Sequence, residues 1–165
     1  MYPVDSAIQR LNNWSQDFNI NQAMHFERDD INLPGFHKFF NDSAEKEVRD
    51  AHKFMKYQNL RGGRVKLQTI HTLRRRVGKW LECHENCFEV GKGLYESLLV
   101  LHSQANLEND PQLQEFLVRN FLGEQVESIK QLANYVNTLN RFEESGNYQL
   151  GEYQFDKITL KGGEK

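Results

Sequence analysis

Hydrophobic residues recur every three or four positions along most of the chain, which is the spacing of one face of an α-helix. Glycine and proline break this pattern only between long amphipathic stretches. The main breaks are Pro34-Gly35, Gly62-Gly63, Pro111 and Gly146. Long periodic stretches with so few interruptions predict long helices rather than strands.

The periodicity predicts four long helices and a short fifth one. The first three cover about residues 5–30, 35–60 and 77–107; the fourth starts at 111 and fades over 143–146, and the fifth lies within 148–160. Residues 64–76 have no apolar stripe of helical period and therefore predict a long connection. Two helical hairpins joined by such a crossover predict an all-α four-helix bundle, over about 5–145 of a single domain at 1–165.

Two local signals bear on where helices start. Asp110 followed by Pro111 predicts a helix start, because the Asp side chain can cap it and Pro suits the first helical position. The run Asp42-Ser43-Ala44-Glu45 has the form of a capping box and favours a fresh start inside the second predicted helix. The apolar periodicity through this region favours one continuous helix instead.

Charge and composition narrow the class of partner. The chain has 165 residues and a formal net charge of -2, so it has no long-range field that would recruit nucleic acid or an anionic membrane. Residues 1–15 lack the apolar core of a secretory signal, and no stretch is apolar enough to span a bilayer, which favours a cytosolic location. Cys83 and Cys87 are expected to be reduced thiols.

A few polar side chains interrupt the apolar stripes and are candidates for chemistry. Glu47 lies in the stripe of the second helix with Asp50 three residues on, and Gln125 interrupts the stripe of the fourth. A carboxylate in a bundle core needs a metal, a proton or a hydrogen-bonding partner. From spacing alone, purely structural partners for these three residues remain the alternative to a metal site.

Other candidate groups carry less information. Cys83, His84 and Cys87 could form a soft-metal cluster, but adjacent residues on a helix point in different directions. His102 and Glu115 lie near the ends of the third and fourth predicted helices and individually indicate little.

Several motifs resemble the ferritin family in its own order. The most specific stretch is Lys56-Tyr57-Gln58-Asn59-Leu60-Arg61-Gly62-Gly63-Arg64. The others are Phe26-Glu27-Arg28-Asp29-Asp30, Leu33-Pro34-Gly35-Phe36, Leu98-Leu99-Val100-Leu101-His102, Asn109-Asp110-Pro111, Glu124-Gln125-Val126 and Tyr153-Gln154-Phe155-Asp156-Lys157. The stretch Leu33-Pro34-Gly35-Phe36 resembles invertebrate members in particular. The resemblance extends over nearly the whole chain from about Ala23.

The resemblance implies a subunit of an octahedral shell of 24 subunits that stores ferric iron mineral, by self-assembly or with other ferritin subunits. Heavy-type subunits also oxidise Fe(II) at a di-iron centre inside the bundle. Here the family's glutamate of the first helix falls at Asn12 or near Ser15, its tyrosine at Asn19, its histidine at Asp50 and its bridging glutamate at Gly91, while Glu47 and Gln125 retain the family's residues. With both other glutamates lost, we expect weak iron binding, no meaningful ferroxidase activity and a reliance on heavy-type partners.

The resemblance also assigns the channels and the inner surface. His102 and Glu115 match positions of the three-fold channel, where the second acidic position is Val118. Leu150, Gln154 and Ile158 occupy the four-fold channel positions. The inner acidic cluster for mineral nucleation is replaced by Lys46, Arg49 and His52.

Two alternatives stay open at this point. One is an active ferroxidase rebuilt from Glu47, Asp50 and Gln125, with Asp17 or Glu89 as a further ligand. The other is a cage that serves protection or protein interaction without iron, which the changed inner surface favours.

Overall fold

The computed structural model describes residues 16–65 and 80–161, and all regular structure in these two ranges is helical. Helix α1 spans Gln16–Glu27, and helix α2 spans Pro34–Leu60. Helix α3 spans Trp80–Leu107. The start of the first predicted helix, at 5–15, lies outside the described residues, as does most of the predicted connection at 64–76.

The second half of the chain forms one long interrupted helix and a short terminal one. Helix α4 spans Pro111–Leu117, a π-helical segment spans Val118–Leu122, and helix α5 spans Gly123–Glu144. Helix α6 spans Tyr148–Gln154 and continues into a π-helical segment at Phe155–Leu160. Within the described ranges, no helix is both long and apolar enough to cross a membrane.

The helices pack as two hairpins with the last helix attached to them. Helix α1 lies along α2, α3 lies along α5, and the C-terminal segment contacts both α5 and α2. The predicted all-α four-helix bundle with a short fifth helix is therefore confirmed.

The start signal at Asp110 is confirmed in atomic detail. The backbone N–H of Leu113 donates to Asp110 Oδ1 over 3.1 Å, and Pro111 occupies the first turn of α4. Arg61, at the end of α2, donates to both oxygens of the same carboxylate over 3.2 and 2.7 Å. One carboxylate thus caps α4 and ties it to the end of α2.

The fresh helix start at residues 42–45 is wrong, because α2 runs through them without a break. The Ser43 hydroxyl donates to the Phe39 carbonyl one turn earlier, over 2.8 Å, instead of capping a new helix. Phe40 and Ala44 are both buried on the same stripe, so packing holds this turn helical.

The true start of α2 takes its cap from the other end of the chain. Its own N-cap residue, Leu33, offers no side-chain hydrogen bond. The backbone N–H of Phe36 donates instead to Asp156 Oδ1 over 2.9 Å, and Asp156 is fully buried. A Cβ at Gly35 would lie 2.5 Å from the Asp156 carbonyl oxygen, so glycine allows this close approach.

The buried apolar side chains fall into two clusters. The first, which we call the α3–α4 cluster, consists of Ala51, Phe54, Leu94, Leu98, Leu101, Ala105, Leu113, Leu117 and Phe121. The second, the α1 cluster, consists of Phe18, Ala23, Phe26, Leu33, Phe36, Phe40, Leu139 and Phe155. Along α2 the α1 cluster ends at Phe40 and the α3–α4 cluster begins at Ala51, so residues 41–50 lie between the two.

Candidate functional site

A cavity of about 420 Å³ lies between the two apolar clusters. All four long helices contribute to its wall, with Phe18 and Asn19 from α1, Phe39, Ser43 and Glu47 from α2, Gly91 from α3, and Gln125 and Ser128 from α5. Both aromatic and polar side chains line it. This is where the sequence predicts the chemistry of the bundle.

Glu47 and Gln125 meet at this cavity, as their places in the two apolar stripes predict. Both side chains are half-buried, and Glu47 Oε2 has almost no exposed surface. Helices α2 and α5 thus bring one carboxylate and one amide to the same wall.

Asp50 is not part of this arrangement, although the sequence groups it with Glu47. Its side chain is buried but does not line the cavity. Lys53 Nζ donates to Asp50 Oδ1 over 2.9 Å, three residues along the same helix. The carboxylate is therefore already neutralised by a cation of its own helix.

Gln125 makes a direct contact with the backbone of α3. Its Nε2 donates to the Gly91 carbonyl oxygen over 3.1 Å, a bond that only the nitrogen end of the amide can make. A Cβ at Gly91 would lie 3.5 Å from Gln125 Nε2 and 3.8 Å from Ile129 Cγ1, which are ordinary contacts. Space alone therefore does not require glycine here, because a Cβ at this position, which lines the cavity, makes no close contact.

An ion pair beside the cavity was missed by the sequence reasoning. Lys46 Nζ lies 3.3 Å from Glu124 Oε2, which joins α2 to α5. Lys46 directly precedes Glu47, and Glu124 directly precedes Gln125. Because the sequence already predicted that Glu47 and Gln125 come together, the opposite charges beside them could have predicted this ion pair. Both side chains are more than one third exposed, so the pair contributes little to stability.

The remaining candidates are dispersed or lie outside the described residues. Glu89 is exposed and pairs with Lys92 at 3.1 Å, away from the cavity. Asn19 lines the cavity and is 6% exposed. The positions Asn12 and Ser15, and the side chains of Asp17, Cys83, His84 and Cys87, are outside the described part of the chain.

These donors are few for a metal centre. Among the side chains that the structure describes, at 18–65 and 88–161, no three His, Cys, Asp or Glu residues form a group suited to a metal ion. Bundles that hold two irons use a Glu from each of two helices and Glu-x-x-His pairs from the other two. From that set the cavity offers Glu47, to which the amide of Gln125 can add one neutral oxygen.

Comparison with known proteins agrees with the fold. A sequence profile for the ferritin-like domain matches residues 9–142. The chain belongs to the ferritin family. It is similar to the ferritin heavy chain of Echinococcus granulosus, with 47% identity over 146 residues that cover 87% of this chain and 81% of the relative.

Two further ferritins show similar coverage. The soma ferritin of Lymnaea stagnalis is 46% identical over 139 residues, which cover 84% of this chain and 78% of the relative. The middle subunit of Salmo salar ferritin is 40% identical over 141 residues, which cover 85% of this chain and 80% of the relative. The likeness therefore extends over most of each relative.

The expected ferritin channel residues lie on the surface of the single chain. Glu115 is exposed and lies 3.9 Å from Arg119, His102 is half-buried on α3, and Val118 is 52% exposed. Leu150 and Ile158 are 55% and 70% exposed, with Gln154 between them at helical spacing. Their roles in channels stay predictions.

Proposed function

We propose that this chain is a shell subunit of an iron-storage ferritin that does not itself oxidise Fe(II) at an appreciable rate. Iron is its cargo, and the oxidising step is supplied by heavy-type subunits in a mixed shell of 24 chains. Membership of the ferritin family supports the storage role. The cavity supports the absence of the oxidising step.

One observation carries the proposal, namely that Gln125 is bonded to the bare backbone of Gly91. A side chain at 91 would start beside Gln125, and a carboxylate there would add an anionic donor to the cavity that Glu47 also lines. With glycine at this position, the described lining residues supply two carboxylates, Glu47 and the exposed Asp42, besides amide groups such as that of Gln125. Two Fe(II) ions need more anionic oxygen donors than this, because each hard cation is held mainly by charge.

Asp50 does not supply the missing donor. To reach the cavity it would have to leave Lys53, and its burial makes an unpaired carboxylate costly. This argues against the alternative in which the centre is rebuilt from Glu47, Asp50 and Gln125.

The first test is the rate of Fe(II) oxidation in air by the purified protein, followed by ferric absorbance. We expect a rate within about twofold of buffer, and no change in Glu47→Ala. A rate far above buffer that disappears in Glu47→Ala would show an active centre and refute the proposal.

The second test restores a donor. Gly91→Glu adds a carboxylate at a position with room for a side chain, so we expect the affinity for Fe(II), measured without oxygen, to rise at least about tenfold. Gly123→Glu is the matched control, because it adds the same charge on α5 where nothing lies within 4 Å of the new Cβ. Equal gains in both variants would show a general charge effect and contradict the assignment of the cavity.

The third test addresses storage and partners. Light scattering with elemental analysis gives the size and iron content of particles formed alone and with an active heavy-type subunit. We expect mixed particles to load iron and particles of this chain alone to load it slowly. Particles that contain no iron under either condition would favour a cage without an iron role.

A further inference from the structure

The cavity between the clusters is large enough to hold an organic molecule. Its volume of about 420 Å³ lies within the range of known small-molecule pockets, about 300–1,000 Å³. An apolar cavity of about 150 Å³ is already enough to bind benzene. The question is which chemistry the walls would recognise.

The apolar part of the wall suits a flat ring. Phe18 is 5% exposed and Phe39 is half-buried, and the two rings come from different helices, α1 and α2. Leu94, Leu132 and Val90 complete this side. Aromatic walls favour an aromatic guest, because rings pack well in offset or edge-to-face arrangements.

The polar part of the wall is rich in hydrogen-bond acceptors. Gln125 uses its Nε2 on the Gly91 carbonyl, and Gln131 uses its Nε2 on the Tyr135 hydroxyl over 2.7 Å. Within the described part of the chain, neither amide oxygen makes a hydrogen bond, and the Ser128 hydroxyl makes none either. These groups prefer a guest that donates.

The charges on the wall favour a neutral guest. Lys46 and Arg49 are balanced by Glu47 and Asp42 among the lining residues. The two cations are also engaged, Lys46 with Glu124 at 3.3 Å and Arg49 with Glu45 at 3.4 Å. An anion would have to compete with these carboxylates, and a cation would meet the two basic groups.

We propose that this cavity binds a small uncharged aromatic molecule that donates an N–H or O–H hydrogen bond to Gln125, Ser128 or Gln131. Asp42, Arg49 and Gln131 are exposed and form the mouth through which it enters. The site occupies the space left by the missing glutamate at Gly91. Binding needs no iron, so this inference stands apart from the storage role.

The probe is indole, which has an aromatic body and a single N–H donor, and its matched control is 1-methylindole, which lacks that donor. Calorimetric titration of the full-length protein, free of iron, should show saturable binding of about one indole per chain. We expect 1-methylindole to bind about tenfold more weakly, because the wall acceptors then lose their donor. No saturable binding, or equal binding of both compounds, would overturn the proposal, the first outcome meaning that water alone fills the cavity.

Two variants locate the site. Gly91→Leu adds a side chain into the cavity and should weaken indole binding at least about tenfold, whereas Gly123→Leu adds the same side chain on the exposed surface and should leave it unchanged. Circular dichroism and particle size check that both variants fold. Unchanged binding in a folded Gly91→Leu protein would place the indole elsewhere and refute the assignment.

Ser128→Ala gives an independent answer if Gly91→Leu does not fold. It removes one hydroxyl from the wall without adding volume. We expect the preference for indole over 1-methylindole to shrink by about threefold or more. A preference that stays the same in Ser128→Ala, Gln125→Leu and Gln131→Leu would exclude all three acceptors and overturn the proposal.

Discussion

The α3–α4 cluster and the cavity are built on the same helices, yet they differ in almost every property. On α2, Ala51 and Phe54 are 1% and 0% exposed and pack among apolar residues, whereas Ser43 and Glu47, one or two turns earlier, face a cavity with polar walls. On α3, Leu98 and Leu101 belong to the α3–α4 cluster, whereas Gly91 lines the cavity. The bundle is therefore stabilised by layers that take no part in chemistry, which leaves the middle layer open to change.

The largest expected effect on stability comes from truncating a side chain of the α3–α4 cluster. Phe54 stacks on Phe121 with ring centroids 4.1 Å apart and is fully buried. Phe54→Ala should lower the free energy of unfolding by about 3–5 kcal/mol, from lost burial and the new cavity. The matched change Phe39→Ala, at the wall of the cavity, should lower the free energy of unfolding clearly less. Denaturant unfolding of the two variants measures the difference. Equal losses would show that the two layers contribute alike.

A second prediction concerns the cap at the start of α2. Asp156→Ala leaves the Phe36 N–H without its acceptor in a buried place and should lower the free energy of unfolding by about 1–3 kcal/mol. Asp156→Asn keeps an acceptor of the same shape and should cost less. Unfolding curves for the two variants decide the order, and a larger loss for Asn than for Ala would contradict the capping role.

Substitutions at the wall of the cavity should change stability little. Gln125→Leu removes the hydrogen bond to Gly91 but adds apolar surface to a wall that already contains Leu132 and Leu94. We expect the free energy of unfolding to change by less than about 1 kcal/mol in either direction. A loss as large as that expected for Phe54→Ala would mean that the amide is a structural member of the core.

The smallest effect concerns pH at the α1 cluster. Burial, with help from nearby Arg28, lowers the pKa of His25, whose ring lies edge-on against Phe26 at 5.2 Å. Since the unfolded chain then binds a proton more readily than the folded one, this histidine should reduce stability as the pH falls through about 6.5. His25→Gln should flatten the decline in melting temperature between about pH 7 and 5, and a steeper decline in the variant would reverse the sign.

Much of the fold follows from local signals, and the confirmed parts show why. The helix over Pro34–Leu60 and the start at Pro111 depend on periodicity and on one adjacent cap, which are both properties of neighbouring residues. The capping-box signal at 42–45 does not start a helix, because packing of Phe40 and Ala44 outweighs it and keeps the predicted helix continuous. The π-helical turn at Val118–Leu122 adds a residue to one helical turn. No Pro or Gly lies inside it, so the sequence contains no local signal that predicts it.

The site was predictable only in part. Spacing placed Glu47 and Gln125 in the apolar stripes of two helices, and both residues line the cavity. The pairing of Asp50 with Lys53 depends on which way two side chains of one helix turn, which spacing does not determine. The cavity depends on side chains that are small or missing on several helices at one level, so it becomes visible only when the helices are assembled.

The bond from Phe36 to Asp156 joins points 120 residues apart and sets an order of events. While the chain is being synthesised, the first turn of α2 has no acceptor until residue 156 has left the ribosome. A chain that lacks that residue would still contain α2 but would leave its first turn open to fraying and to proteolysis.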